Sequence, residues 1–571
     1  MRALVVGSFV FTTLFRPCLA QEPAGWDAAL ARYKECIARI PFTHHTEGRD
    51  RIAQTRSLTA LTMLAADYTR VKDKGHYPEE SRYTIASLIG RHLSQAAAVE
   101  PLVALRQQAD KPADTWLWVQ ALRIQADHGG EEAVIKIATE AKSALHRAAA
   151  IAAIGESRGG NLKAAVLPNV LNFPKKEKEG ERMALLGAMT GAFWDNRTRV
   201  NDTDYREALK GYIGLLAEGV GLSHTAKVQM ARHLQEILKT PGMFINPEPY
   251  LEVLERGSVK QPKANSTTAA PRFFGVETDG EQFCYVVDMS DSMCKPIEPS
   301  AIPPGITLTG PKKKVVKRKG QVLDESDIPW HLIKTRWDLA RENLKISLSR
   351  LTPEKSFAIV WFGTESGTLD TTKGMIRATP ANVSRVMAEL DTLVVKPKDK
   401  LTPDELVVSP DGKLRGKTNM HSGLRRAFSL AGKGFVEAAA YVDPEALTEG
   451  CDTIFLLSDG APSIDDYYVL DKDYGEGNVV VDQEYGAKAN RTPQLWYPGP
   501  YVSDQWLVED TRRMNSLRRI KIHCIGLGEA NKNLLDRLAD MGNGTVFIVG
   551  EKKAGAAGGN GGSDGGAEPK K

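Results

Sequence analysis

Three short segments, far apart in the sequence, carry the oxygen-bearing side chains that hard metal ions prefer. They read DMSDS at residues 288–292, GKTN at 416–419 and LSDG at 457–460. Hydroxyl and carboxylate oxygens suit Mg²⁺ or Mn²⁺, and the segments offer no soft ligand that would recruit zinc. The candidate metal-binding residues within these segments are Asp288, Ser290, Ser292, Thr418 and Asp459.

The elements around these segments decide whether their side chains can meet. Apolar runs predict strands at residues 283–288, 357–362, 453–459, 520–526 and 545–549, and helices at 337–351, 381–393, 420–430, 503–517 and 532–541. The strands lack polar alternation, as expected for strands that are covered on both faces. Alternating strands and helices indicate a doubly wound, mainly parallel α/β sheet. Such a sheet places its ligands beyond the carboxyl ends of its strands.

In their order and composition, the three segments resemble the metal-ion-dependent adhesion site of the von Willebrand factor type A domain. The resemblance covers about residues 276–550. It implies that Ser290, Ser292 and Thr418 bind the metal directly, whereas Asp288 and Asp459 act mainly through water. Neutral direct ligands would leave the ion incompletely neutralised, so it could attract a carboxylate from a protein partner that presents Asp or Glu. The alternative is that the serines cap a helix and the aspartates end strands in turns.

Two features depart from the usual pattern of that family. Asp291 stands where the family often has glycine, and insertions occupy about residues 295–330 and 463–501. The first insertion contains basic runs at 312–314 and 317–319, and the second contains aspartates among tyrosines and tryptophans. Both insertions are predicted to emerge near the strand ends that hold the metal. We therefore expect them either to influence partner choice or to cover the site.

The remaining segments predict an exported protein of several parts. Residues 1–20 have a positive start, an apolar run too short to span a bilayer and a small residue for cleavage, as in a secretory signal peptide. Residues 21–255 have apolar residues at helical spacing, which favours either HEAT-like repeats or an irregular helical bundle. Residues 256–275 have the composition of a linker. Residues 551–571 form a Gly-rich tail that is predicted to be disordered.

Composition excludes several classes of function. The 571 residues include 75 Lys and Arg and 71 Asp and Glu, and the net charge of +4 argues against a nucleic-acid-binding protein. Six cysteines are too few for a disulfide scaffold, and no apolar stretch of the mature chain predicts a stable membrane span.

The sequence GESRG at 155–159 matches the G-x-S-x-G motif of a nucleophile elbow. That motif requires a preceding strand, whereas an Ala-rich helical pattern precedes this one, so the sequence does not favour catalysis by Ser157.

Three histidines are further candidate metal ligands. His44 and His45 are adjacent, but the sequence suggests no nearby carboxylate or cysteine that would complete a site around them. His421 is close to Thr418 in the sequence, and we expect it to pack on the following helix and not to bind the metal.

These observations predict an exported, non-enzymatic binding or adhesion protein, located outside the cell or in the periplasm or cell envelope. In this interpretation the C-terminal half uses Mg²⁺ or Mn²⁺ to hold an acidic group of a protein partner, and the helical half offers a second contact surface. One alternative is an assembly scaffold whose sheet domain is purely structural. The other is a hydrolase in which Ser157 or a metal-activated water is the nucleophile.

Overall fold

The computed structural model describes residues 25–74, 77–258, 271–304, 306, 322–395, 412–436, 442–471 and 495–551. The predicted signal peptide, most of the linker and nearly all of the Gly-rich tail lie outside these residues. So do the basic runs of the first insertion and the centre of the second insertion.

The N-terminal part of the chain, here called the helical domain, consists of helices packed in two rows. The even-numbered helices from α2 to α12 contact one another in chain order, as do α7, α9, α11 and α13 in the other row. Stacked helix pairs are the arrangement of a HEAT-like solenoid. The helices are α1 (Trp26–Ile37), α2 (Phe42–Ala53), α3 (Leu58–Lys74), α4 (Pro78–His92), α5 (Val99–Gln107), α6 (Thr115–Gln125), α7 (Glu131–Glu140), α8 (Ala144–Glu156), α9 (Leu162–Leu171), α10 (Glu179–Asp195), α11 (Thr203–Gly214), α12 (His224–Leu238) and α13 (Glu248–Arg256).

Helix α8 shows why this sequence stacks. Its segment 148–153 reads AAAIAA, and all of these side chains are buried, because α8 packs against α6, α7, α9 and α10. Small side chains allow neighbouring helices to approach closely, whereas a larger residue there would have to displace a helix. In the described part of the chain, no helix combines the length and the hydrophobicity that crossing a membrane requires.

The C-terminal part, here called the sheet domain, is built on a mainly parallel sheet. Its strand order is β13-β12-β9-β3-β4-β5, with β6 also paired to β4, and only β5 and β6 run antiparallel to their neighbour. The strands are β1 (Arg272–Phe273), β2 (Val276–Glu277), β3 (Gln282–Asp288), β4 (Ser356–Phe362), β5 (Ser366–Thr368), β6 (Ile376–Arg377), β7 (Leu430–Ala431), β8 (Gly434–Phe435), β9 (Thr453–Ser458), β10 (Val469–Asp471), β11 (Leu495–Tyr497), β12 (Lys521–Gly526) and β13 (Val546–Ile548).

Helices cover both faces of this sheet, so the predicted doubly wound α/β fold is confirmed. Phe283, Tyr285 and Val287 of β3 lie in one apolar core, and Cys284 and Val286 lie in the core on the opposite face. The helices of the sheet domain are α14 (Arg336–Ser349), α15 (Pro380–Thr392), α16 (Met420–Ser429), α17 (Pro444–Glu449), α18 (Asp504–Asn515) and α19 (Lys532–Met541). After β4 the chain crosses to the other side of β3, so the strand order reverses between β3 and β9.

The two domains share an apolar core. Leu447 and Leu517 of the sheet domain pack among the buried residues of the helical domain. Polar contacts surround this core, and they include the ion pair of Lys521 with Glu236 at 2.8 Å. A separate contact lies farther along, where Phe42 of α2 packs with aromatic side chains of the second insertion.

A histidine on β12, which pairs with β9 on one side and β13 on the other, is buried. His523 on β12 is 2% exposed, and its ring nitrogens lie 3.0 Å from the hydroxyl oxygens of Thr545 and Thr278. Burial first, and then the charges of Lys521 and Arg232, lower the pKa of His523 to about 3. The pKa of an unfolded histidine is about 6.5, so the unfolded chain binds this proton more readily than the folded chain does.

We therefore expect acid to destabilise the fold through His523. Its contribution to stability is present above about pH 6.5 and is lost progressively as the pH falls toward about 3. The free energy of unfolding of the wild type, minus that of His523→Gln, should decrease by about 2 kcal/mol from pH 7 to pH 5. Urea titrations at each pH measure this difference, and parallel curves for the two proteins would contradict the assignment.

Candidate metal centre

Three loops meet where β3 and β9 end, at the point where the strand order reverses. Val287 pairs with Leu457 in the β3–β9 ladder, so the residues that follow these strands begin side by side. The backbone N–H of Asp291 donates to the carbonyl oxygen of Gly416 at 3.0 Å, which ties the first loop to the second. The backbone N–H of Thr418 donates to Ser463 Oγ at 2.9 Å, which ties the second loop to the third.

A glycine at the end of β4 permits this approach. A Cβ atom on Gly363 would lie 2.7 Å from the carbonyl oxygen of Arg415, closer than real Cβ contacts allow. The same loop is fixed from the other side, because the N–H of Arg415 donates to the carbonyl oxygen of Met289 at 2.9 Å. A side chain at position 363 would thus push the loop that carries Thr418 away from the loop that carries the serines.

The structure brings all of the candidate residues together. Thr418 Oγ1 donates to Ser290 Oγ at 3.4 Å, and Ser290 Oγ lies 2.9 Å from Ser292 Oγ. Ser292 Oγ in turn donates to Asp459 Oδ1 at 2.6 Å. Ser290 precedes a 3₁₀ turn over Asp291–Cys294, but its side chain makes no capping hydrogen bond. The geometry thus differs from the alternative in which these serines serve as helix caps.

Asp288 is an acidic member of the centre that lies below the surface. It is fully buried, and its Oδ1 accepts the backbone N–H of Ser290 at 2.9 Å. Its Oδ2 accepts the hydroxyl of Ser458 at 2.9 Å. Burial first, and then the charge of Asp459, raise the pKa of Asp288 to about 7. Two acidic side chains therefore share a buried space in which a cation would be electrostatically favoured.

Two contributors to the centre escaped the sequence analysis. Arg336 is almost completely buried, and its Nη1 donates to Asp459 Oδ2 at 2.6 Å while its Nε donates to Glu298 at 2.8 Å. No spacing rule links the first residue of α14 to a strand end 123 positions later. Ser458 could have been found, because it ends β9 and the parallel register that pairs Val287 with Leu457 brings it next to Asp288.

The oxygen atoms of the centre fit the geometry of a small, hard cation. In an octahedral Mg²⁺ site with bonds of about 2.1 Å, neighbouring ligands are about 3.0 Å apart. The hydroxyl oxygens of Ser290 and Ser292 are 2.9 Å apart, and those of Ser290 and Thr418 are 3.4 Å apart. Arg336 contacts only the Oδ2 atom of Asp459, so Oδ1 remains directed toward the serines. The donor set therefore suits Mg²⁺ or Mn²⁺.

The described part of the second insertion lies beside this centre. Asp466 accepts from Asn419 Nδ2 at 2.8 Å and from Ser422 Oγ at 3.0 Å, so the insertion is held against the start of α16, next to Thr418. His421 lies apart from the candidate ligands. Its ring stacks on Tyr501 with the centroids 3.8 Å apart, and its Nε2 lies 2.9 Å from Asp510.

Among the comparisons with known proteins, only the one with solved structures found a similarity. No protein-family model matches the sequence, and no curated protein does. A solved structure of a von Willebrand factor type A protein from Catenulispora acidiphila is similar over 48% of this chain and 40% of that chain, with 15% identity and a TM-score of 0.23. The present chain thus spans less than half the length of that protein. By the strand order and the loop positions described above, the sheet domain has a fold similar to that of a von Willebrand factor type A domain.

Proposed function

We propose that this protein is an exported, non-enzymatic binding protein that uses a divalent cation to hold an acidic group of a protein partner. The cation is Mg²⁺ or Mn²⁺, bound directly by Ser290, Ser292 and Thr418 and through water by Asp288 and Asp459. The helical domain provides a second contact surface. Export rests on the signal-peptide layout of residues 1–20.

One observation carries this proposal, namely that side chains from three distant segments converge around a single position. Ser290, Thr418 and Asp459 are all buried, whereas Ser292 is partly exposed. A cation held there by neutral hydroxyl groups keeps much of its positive charge and faces solvent on the Ser292 side. Such an ion has a coordination position that a carboxylate of a partner can fill.

Substitutions of one hydroxyl-bearing residue and one carboxylate test the proposed ligand set. Ser292→Ala should weaken Mg²⁺ binding by at least about tenfold, and Asp459→Asn should weaken it by about 10–100-fold, as measured by calorimetry. Ser349→Ala is the matched control, because this serine lies at the far end of α14, where it accepts from Leu323 N–H and donates to Ile346. Unchanged affinity in both Ser292→Ala and Asp459→Asn would refute the proposal.

The scaffold alternative makes a different prediction about metal removal. If the cation binds the folded state, adding Mg²⁺ at about 100 times its dissociation constant should raise the free energy of unfolding by about 2.7 kcal/mol. Chelation should reverse this gain and should release an acidic partner. A purely structural sheet domain would show neither effect, so thermal unfolding with and without chelator separates the two functions.

A further inference from the structure

The first two helices bring together a cluster that the sequence analysis did not find. Helices α1 and α2 pack against each other, and this places Cys36 of α1 beside His44 and Glu47 of α2. The ligand atoms of these residues lie within 4.8 Å of one another. The expectation that no cysteine or carboxylate is near His44 was therefore wrong. The residue types also differ from those of the oxygen-only centre, because this cluster contains a thiol and an imidazole.

His44 is the residue that points to a ligand. The residue is 9% exposed, yet within the described parts of the chain neither of its ring nitrogens has a hydrogen-bond partner. Its Nδ1 lies 3.8 Å from Glu47 Oε2, too far for a hydrogen bond. A buried imidazole normally pairs both nitrogens, so this ring has the capacity to bind a group absent from the structure.

The distances suit a tetrahedral metal ion. With bonds of about 2.0–2.3 Å, the ligands of a tetrahedral Zn²⁺ are about 3.5 Å apart. The separation of 3.8 Å between His44 and Glu47 is already close to that value, and the others need a contraction of about 1.3 Å at most. Rotation of the Cys36 side chain, with a small shift of Glu47 that keeps its contacts with Arg32, would supply this contraction.

The neighbours of the cluster hold its members in place. Gly48 lets α1 approach α2, because a Cβ atom there would lie 2.7 Å from the Cβ of Cys36. Arg32 donates to both carboxylate oxygens of Glu47 at 3.0 Å and so fixes its orientation. A carboxylate accepts up to about four such interactions, so Glu47 can keep Arg32 and bind a metal at the same time. Its side chain is 35% exposed, which gives an ion a path from solvent.

We propose that Cys36, His44 and Glu47 form a second metal site, which binds Zn²⁺ or a similar borderline-soft ion. The Cys36 sulfur, one His44 ring nitrogen and one Glu47 oxygen are the protein ligands, and water completes the tetrahedron. A thiolate together with an imidazole selects such ions over Mg²⁺. Metal binding deprotonates the Cys36 thiol, and the proton is released to solvent.

The position of this site suggests what the ion does. The ring of His44 lies edge-on to Tyr497 of the second insertion, with the centroids 5.0 Å apart. Two residues earlier, Phe42 packs against Tyr467 and Tyr501 of the same insertion. An ion that clamps α1 to α2 would therefore stiffen the surface of the helical domain on which the insertion rests.

Cobalt titration of the full chain tests the site, because thiolate-bound Co²⁺ has a sulfur-to-metal charge-transfer absorption that oxygen ligands cannot produce. The metal-free wild type should bind one Co²⁺ with this absorption, and Zn²⁺ should displace it. Cys36→Ser and His44→Gln should each lose it, with the affinity reduced at least about 100-fold. His45→Gln is the matched control, because this adjacent histidine contacts the carbonyl oxygen of Arg39 and is not a cluster member.

The outcomes separate this proposal from the proposed function. A wild type without the charge-transfer absorption would overturn the second site, whatever the variants do. An absorption that persists in Cys36→Ser would overturn it equally. Neither result would bear on Mg²⁺ binding by Ser290, Ser292 and Thr418, which have no sulfur among them. Conversely, the absorption should survive unchanged in Ser292→Ala.

Discussion

Replacing Arg232 with methionine should lower the free energy of unfolding by about 3–5 kcal/mol. Arg232 lies on α12 at the contact between the domains and is 2% exposed. Its guanidinium donates to the carbonyl oxygen of Asp452 at 2.6 Å and to the hydroxyl of Thr453 at 3.0 Å, and it lies 3.6 Å from Asp452 Oδ1. The variant leaves the Asp452 carboxylate buried without its cation.

The same Asp452 also holds the start of strand β3, which increases the expected loss of unfolding free energy. Its Oδ2 accepts the backbone N–H groups of Glu281 and Gln282 at 2.8 and 3.1 Å. Chemical denaturation measures the effect, with Lys521→Met as the matched control. Lys521 pairs with the partly exposed Glu236 in the same contact, so its loss should cost about 1 kcal/mol or less. Equal losses in the two variants would contradict a special role for Arg232.

Replacing Thr418 with valine should weaken Mg²⁺ binding on the order of 100-fold. Valine has nearly the same shape as threonine, so it removes the hydroxyl oxygen and leaves the loop packed as before. Thr418 is 7% exposed, and its backbone is held on both sides by Ser463, which makes a large rearrangement of the loop unnecessary. The effect should therefore appear in the dissociation constant of Mg²⁺ and barely in the stability of the metal-free protein.

Thr418→Ser provides the complementary variant. Serine keeps the hydroxyl group and loses only a methyl group, so it should retain Mg²⁺ affinity to within a few-fold of the wild type. Calorimetric titration of the three proteins side by side makes the comparison. If Thr418→Val bound Mg²⁺ as tightly as the wild type, the hydroxyl oxygen would not be a ligand.

The long elements of the sheet domain were predictable because their patterns are unambiguous. Strands β3, β4 and β9 are six or seven residues long and buried on both faces, so each contains an unbroken apolar run. The six residues of β12 also include Lys521 and His523 among apolar ones. Once these strands are parallel, their carboxyl ends must share one edge, which brings Asp288 and Asp459 together. The short strands β5 to β8 have only two or three residues and give no periodic signal.

Side chains whose placement depends on helix packing were not predictable. Arg336 reaches Asp459 because α14 packs beside the strand ends, and nothing in its own segment indicates that partner. Cys36 and His44 belong to different helices, so their proximity depends on how α1 and α2 cross. A spacing of eight residues across a turn does not reveal whether the two side chains face each other.

The most direct test of the central claim is a crystal of the full chain soaked in Mn²⁺, examined by anomalous diffraction. The proposed function predicts a peak between the side-chain oxygens of Ser290, Ser292 and Thr418, with Asp288 and Asp459 reached through ordered water. A well-ordered site without such a peak, in a crystal that contains Mn²⁺ elsewhere, would contradict metal-dependent binding by this domain.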